Sequence, residues 1–234
     1  MDDLPRFYQP DVQIGETFSL AEEESRHAKV LRLQSSQIVH VVNGKGQLFA
    51  GSIQPQKRGF DIEVLKLVMN EERSINSFTL AVAPTKNMNR FEWAIEKAVE
   101  VGVLEIIPIR CENSERVHLK LDRLDKIAIS ALKQSKALWK TEIHELIEFD
   151  QIINNHSKIK WMAHCQPGEK SHLRAICNSS ESQIVCIGPE GDFSQSEISK
   201  ATNCGFKSLS LGSQRLRTET AAITVCIAAN LFRP

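Results

Sequence analysis

Residues 184–227 read IVCIGPEGDFSQSEISKATNCGFKSLSLGSQRLRTETAAITVCI, and their reading decides the fold. Two short apolar runs, Ile184–Ile187 and Leu209–Leu211, each end in a glycine, Gly188 and Gly212. Each glycine opens a polar loop, and each loop leads into a helical pattern. A repeated strand–loop–helix unit predicts a parallel sheet with a ligand site at the carboxyl ends of neighbouring strands. In the first loop, Gly188-Pro189-Glu190-Gly191, glycine admits close backbone approach and proline fixes the turn. Ser194 and Glu197 have the spacing of a capping box, and Gly205 is placed to end that helix. The second loop carries Arg215 and Arg217 just before a helix of small apolar residues, which Thr218 or Thr220 can cap. Either loop alone is an ordinary turn. Two of them one unit apart point to a site.

Outward from this stretch, alternating strands and helices begin at Phe78. Phe78–Ala83 predicts a strand ending in Pro84-Thr85-Lys86. Residues 91–101 predict a helix with apolar positions 91, 94, 95, 98 and 99, ended by Gly102. Residues 105–109 predict a strand. A polar loop with Ser114-Glu115-Arg116 then leads to a helix that Asp122 can cap. Lys126, Lys133 and Lys140 recur every seven residues, and basic side chains outnumber acidic ones from Arg110 to Lys140. A solvated helix face and a phosphate-binding face explain that pattern equally. Residues 141–157 connect, partly helical, to a strand over Ile159–Cys165. His164-Cys165 at its end reads as packing, and no metal site is expected.

Residues 1–72 read as a β-rich first domain and 73–234 as the second, with the break in the polar stretch 70–77. Ile38–Val42, Asn43-Gly44 and the run from Gln47 predict a hairpin, and a strand over 60–68 follows. Gly44-Lys45-Gly46 lacks the frame of a phosphate loop. Residues 22–33 predict a helix with acids first and bases later, and Arg26, His27, Lys29 and Arg32 form a basic patch. From charge alone, a solvated face is the better account of that patch.

At 234 residues, with Lys+Arg and Asp+Glu both 29, neutrality leaves any polyanion partner to local charge. The six cysteines are scattered without a CxxC pair, which predicts reduced, mostly buried thiols and a cytoplasmic protein. The small-residue helix from Ala221 to Phe232 is too short for a bilayer, and no membrane association is expected. Nucleophile elbow, zinc-protease and Walker motifs are all missing. What is left is a site that holds and orients, with two arginines.

With these residues in view, the chain resembles the small-subunit (16S) ribosomal RNA uridine-N3 methyltransferase family (RsmE-like) of the SPOUT class. The likeness rests on Gly188–Gly191 with Phe193, Ser194 and Glu197, and on Leu211-Gly212 with residues 215–221, RLRTETA. It extends to Arg6-Phe7-Tyr8, His27 with Val30-Leu31-Arg32, Lys86 with residues 92–103, Ser114–Arg116 and Lys133–Ser135, and so covers the whole chain. The chain departs from the family at Asp192, where GPEGG is common, and at Lys136, where an arginine is usual.

The resemblance implies an α/β fold with an N-terminal PUA-like β-barrel over residues 1–72, followed by a SPOUT domain over 73–234 with a C-terminal trefoil knot. It implies S-adenosyl-L-methionine held by Ala163, His164 and Cys165, by Ile187, Gly188, Pro189, Glu190 and Gly191, and by Leu211, Gly212, Leu216, Arg217 and Thr218. Ribosomal RNA or the small ribosomal subunit becomes the expected partner. Arg6, Arg26, His27, Arg32, Lys86, Arg116, Lys126, Lys133 and Lys136 become the expected RNA contacts, and a homodimer is expected. Arg217, then Arg215, are the expected catalytic residues, because uridine N3 must lose a proton before it accepts a methyl group. A competing reading keeps the donor pocket without turnover, as an RNA-binding protein. A flavodoxin-like nucleotide binder would leave the first domain unexplained.

Overall fold

A computed structural model describes residues 4–73, 77–154, 158–177 and 181–231. Residues 74–76, inside the expected boundary, and Phe232, at the end of the expected last helix, lie outside them. The chain divides into two compact units, residues 1–73 with 132–140, and residues 74–131 with 141–234.

The first unit contains β1 (Arg6–Tyr8), β2 (Thr17–Ser19), α1 (Glu22–Val30), β3 (Gln37–Val42), β4 (Gln47–Gln56) and β5 (Gly59–Asn70). The strands pair in the order β1-β3-β4-β5-β2, parallel only between β1 and β3. The register of β4 on β5 shifts at Leu48/Phe49 and again at Ala50/Gly51. Such bulges bend a strand and add twist, and the sheet curls over Phe7, Val39, Val41, Ile53 and Ile62. Among the described residues the ladder stays open between β1 and β2.

The expected hairpin is present. The Asn43 side-chain oxygen accepts the N–H groups of Lys45 (2.8 Å) and Gln47 (3.1 Å), while Gly44 and Gly46 take φ of +70° and +90°. Helix α1 stops at Val30 rather than Leu33, because Arg32 adopts a left-handed φ of +55°. Its first-turn acids and last-turn His27 and Lys29 suit the helix dipole. Residues 132–140 fall in this unit, contrary to a division at 72/73. Leu132 and Leu138 pack with Val42 and Leu48, and the Lys140 N–H donates to the Gly44 carbonyl at 2.9 Å.

The second unit contains β6 (Phe78–Val82), α2 (Met88–Glu100), β7 (Glu105–Arg110), α3 (Leu121–Ser135) up to Ala131, β8 (Glu142–Ile143), β9 (Ile147–Glu148) and α4 (Phe149–Ile153). After these come β10 (Ile159–Ala163), β11 (Ser171–His172), α5 (Arg174–Cys177), β12 (Gln183–Ile187), α6 (Gln195–Asn203), β13 (Lys207–Ser210) and α7 (Thr218–Leu231). The strands form one parallel sheet, β11-β13-β10-β12-β6-β7-β8, with β9 also on β7.

Both faces of this sheet are covered, so its central strands are mostly apolar, with Thr79, Lys160 and Gln183 as buried polar exceptions. Val185 and Ile187 of β12 pack toward α2 and α7, and Ile184 and Cys186 pack toward α4 and α6. Full burial of each large aliphatic side chain contributes about 1.5–3 kcal/mol. The six cysteines are free thiols. Burial pushes the thiols of Cys111, Cys186 and Cys226 well above their ordinary range, so they stay protonated.

Several sequence expectations need correction. Strands β12 and β13 are not neighbours. Strand β10 lies between them, with Ala163 opposite Ile187 on one side and Leu209 on the other. Asp122 sits inside the first turn of α3 rather than before it. Helix α3 ends at Ser135, and Lys136 takes φ +62°, so Lys140 is off the helix and the lysine row ends at Lys133. Thr218 does not cap α7. Its hydroxyl donates to the Gly188 carbonyl at 3.1 Å, and the Arg217 carbonyl accepts the Ala221 N–H at 2.8 Å. The capping box of Ser194 and Glu197 is formed as expected, and Gly205 follows α6 at φ +87°.

Candidate active site

Strands β13, β10 and β12 lie side by side and run parallel, so their carboxyl ends open on the same edge. The three loops that leave them surround a cavity of about 710 Å³. Ala163, His164 and Cys165 enter it from β10, and Ile187, Gly188, Pro189 and Glu190 from β12. Leu211, Gly212, Arg215, Leu216, Arg217 and Thr218 enter from the loop after β13. Gly191 does not line it. Its carbonyl accepts the Asn113 amide at 3.2 Å, and a Cβ there would lie 3.0 Å from the Asn113 Cβ. Its small size serves that packing.

The loops are tied to one another. Thr218 joins the start of α7 to Gly188 through the buried bond already described. The Glu190 carboxylate accepts the Lys86 N–H at 3.0 Å, which fixes the GPEG turn against the end of β6. Asp192, at φ +63°, accepts the Cys165 N–H at 2.7 Å and its neighbour Phe193 N–H at 2.9 Å. Phe193 is buried beneath Gly188 and packs on Phe149 with ring centroids 5.3 Å apart.

His164 bonds to the Ser208 hydroxyl at 2.9 Å, and its backbone carbonyl accepts the Lys170 ammonium at 2.6 Å. Burial first, then the Lys170 charge, holds the His164 imidazole below its ordinary pKa. The wall at this point is therefore a neutral ring near neutral pH. Ile187, Leu209, Leu211, Leu216 and Ala221 supply an apolar lining. The side chains of Arg215 and Arg217 are exposed at the rim and make no hydrogen bond or ion pair among the described residues. Glu219 is buried and faces Arg90, at 3.7 Å, not Arg217.

The expected RNA contacts fall in both units. In the first, Arg26, His27 and Arg32 are exposed, with Arg26 in an open ion pair to Glu22 at 3.3 Å. Arg6 is half-buried on β1. Lys136 is exposed, but Lys133 is not a free cation: its ammonium is half-buried against the Glu24 carboxylate. In the second unit, Lys126 is exposed on α3. Lys86 pairs with Glu115 at 2.8 Å, and Arg116 donates to the Lys86 carbonyl at 2.9 Å. These last two brace each other at the end of β6 and are partly committed to the fold.

Sequence reasoning missed Lys170, Asn113 and the bridging role of Asp192. The only signal was Asp192 itself, standing where a glycine was expected. No cluster of three or more metal-ligating side chains occurs among the described residues, and no helix among them is long and apolar enough to cross a membrane.

A family profile described as an RNA methyltransferase domain matches residues 71–230. The ribosomal RNA small subunit methyltransferase E of Rickettsia conorii is 31% identical over 87% of this chain and 84% of its own. A solved structure of a probable rRNA-methyltransferase from Porphyromonas gingivalis superposes with a TM-score of 0.89 and 34% identity, over 98% of each chain. The ribosomal RNA small subunit methyltransferase E of Neisseria gonorrhoeae, solved bound to S-adenosyl methionine, superposes with a TM-score of 0.83 and 26% identity, again over 98% of both chains. A cavity framed by three loops of a parallel sheet, on a chain alike from end to end to these proteins, leads to one assignment: this chain belongs to the ribosomal RNA small subunit methyltransferase E family of RNA methyltransferases.

Proposed function

We propose that this chain methylates N3 of a uridine in small-subunit ribosomal RNA with S-adenosyl-L-methionine as donor. The observation that carries this is the cavity at the three strand ends, with two arginine side chains unpaired among the described residues on its rim. About 710 Å³ is ample for a nucleoside-sized ligand. Its apolar lining suits an adenine ring, and the backbone groups of residues 163–165, 187–190 and 211–212 suit the ring edge and ribose. S-adenosyl-L-methionine, when bound there, supplies a methyl group on a positively charged sulfur and leaves as a neutral thioether.

The chain's own residues do the rest. An unpaired or flipped base must reach the cavity mouth. Arg217, seconded by Arg215, favours the imide anion formed when the N3 proton passes to water. The apolar wall of Leu211 and Leu216 thins the surrounding water and strengthens that interaction.

The first unit acts as a PUA-like RNA-binding module, and the second unit forms the SPOUT catalytic domain. The chain enters β13 between β10 and β11, then returns to Gly188 through Thr218. That path supports a trefoil knot in which the donor sits. Partly exposed Ile223 and Ile227 on α7, with the exposed Trp93 of α2, support a homodimer. A ribosomal RNA substrate places the work in the cytoplasm.

Mass spectrometry of ribosomal RNA nucleosides from cells with and without this gene tests the reading. Loss of 3-methyluridine in small-subunit RNA is expected, and an unchanged level would overturn it. A second expectation concerns charge. Reversing Arg26 and Lys126 to glutamate weakens RNA binding and flattens its salt dependence by about one unit of slope per lost phosphate contact. An unaltered slope in filter binding across salt concentrations returns both residues to plain surface charge. Lys133 is unsuited to this experiment, because its reversal would face Glu24.

A further inference from the structure

Asp192 occupies a position whose backbone asks for glycine. Its φ of +63° lies in the left-handed region, which Asp and Asn enter more readily than other side chains. The residue is held there by what its side chain does. One carboxylate oxygen takes the Cys165 N–H from the loop after β10, and the other takes the Phe193 N–H. The Asn113 amide holds the two adjoining carbonyls, of Gly191 at 3.2 Å and of Asp192 at 3.1 Å. A negative charge is thereby fixed in the cavity wall. The other acid lining the cavity, Glu190, has one of its oxygens turned to the Lys86 N–H. On the cationic side, Lys170 is drawn to the His164 carbonyl, and the arginines stand at the exposed rim.

We infer that Asp192 is a specificity-determining residue of this cavity. Its carboxylate biases the site toward the cationic sulfonium donor and against the neutral thioether left when the methyl group has gone. A cavity of this volume is roughly 11 Å across, comparable with the Debye length of about 10 Å in moderate salt, so the charge is felt throughout it. Donor and product share their adenosine and amino-acid ends and differ by a methyl group and a unit charge at sulfur. A fixed anion acts on that charge difference, and it favours fresh donor over spent product in competition for the cavity. The same carboxylate clasps two donor loops, so its loss also loosens the site. The inference rests on the donor reading given above.

Calorimetry on the full chain separates the effects, with S-adenosylmethionine and S-adenosylhomocysteine each titrated into wild type, Asp192→Asn and Asp192→Gly. Asn keeps the left-handed backbone and one acceptor oxygen. The ratio of donor to product affinity falls by about three- to tenfold on loss of the charge. Gly fits the backbone and removes both clasp and charge, so both affinities drop and the ratio shifts by the same factor. A ratio unchanged in either variant that still binds both ligands overturns the inference and leaves the donor reading intact. Wild-type protein that binds neither ligand sinks the donor reading, and this inference with it.

Discussion

Arg217→Ala slows methyl transfer to ribosomal RNA by about 10²–10³-fold and leaves folding and donor affinity nearly untouched. Both halves of that expectation come from the position of the side chain. Arg217 lines the cavity but is exposed, and its guanidinium meets no acid among the described residues. Its contribution to the fold is through the backbone, whose carbonyl accepts the Ala221 N–H at the start of α7, and alanine retains that bond. Truncating such a side chain shifts stability by no more than about 0.5 kcal/mol. The guanidinium is thus held back from the fold and available to a charge that develops during reaction. Arg217→Lys keeps the charge and loses the planar fork, so its rate falls between the two. Single-turnover assays on a ribosomal RNA fragment decide the matter. A near-normal rate removes Arg217 from the chemistry. A raised KM for RNA with an unchanged kcat makes it a phosphate contact instead.

The difference between Arg217 and Lys133 shows where sequence reading runs out. Both are basic residues in segments that resemble the family's motifs. Lys133 meets Glu24 across 109 positions of sequence, and no local pattern announces such a pair. The same limit hid the placement of β10 between β12 and β13. Periodicity marks a strand but carries nothing about its neighbours in the sheet. Local signals did better, because their physics is local: the Asn43-Gly44 hairpin, the Ser194 and Glu197 capping box, and the two glycine-ended strands all formed. Where a local signal failed, a contact distant in sequence explains it. Thr218 had every mark of a cap, yet its hydroxyl is taken by Gly188, thirty positions away. Asp192 is the instructive case, since a departure from a motif looked like a loss and is a bridge between two loops.

Gly188→Val abolishes measurable binding of S-adenosylmethionine, with affinity down by more than about 100-fold. The site at Gly188 has no room for a side chain. A Cβ there would approach the Phe193 ring at 3.0 Å and the Phe193 N–H nitrogen at 3.3 Å. Phe193 cannot retreat, since it is fully buried and packed against the tilted Phe149 ring. The added bulk is therefore relieved by displacing the turn toward the cavity, which also strains the bond from Thr218 to the Gly188 carbonyl. Overpacking of this kind costs about 1–3 kcal/mol of stability, so a lower melting temperature accompanies the lost binding. Gly212→Val separates these effects. Nothing lies within 4 Å of a Cβ built on Gly212, but its φ of +121° is one that a β-branched residue resists. The loop after β13 must shift to relieve the strain, at little cost to the core, so donor binding fails while the melting temperature stays close to wild type. Calorimetry paired with thermal unfolding reads both quantities. Undiminished donor affinity in both variants means that these turns do not form the donor's cradle.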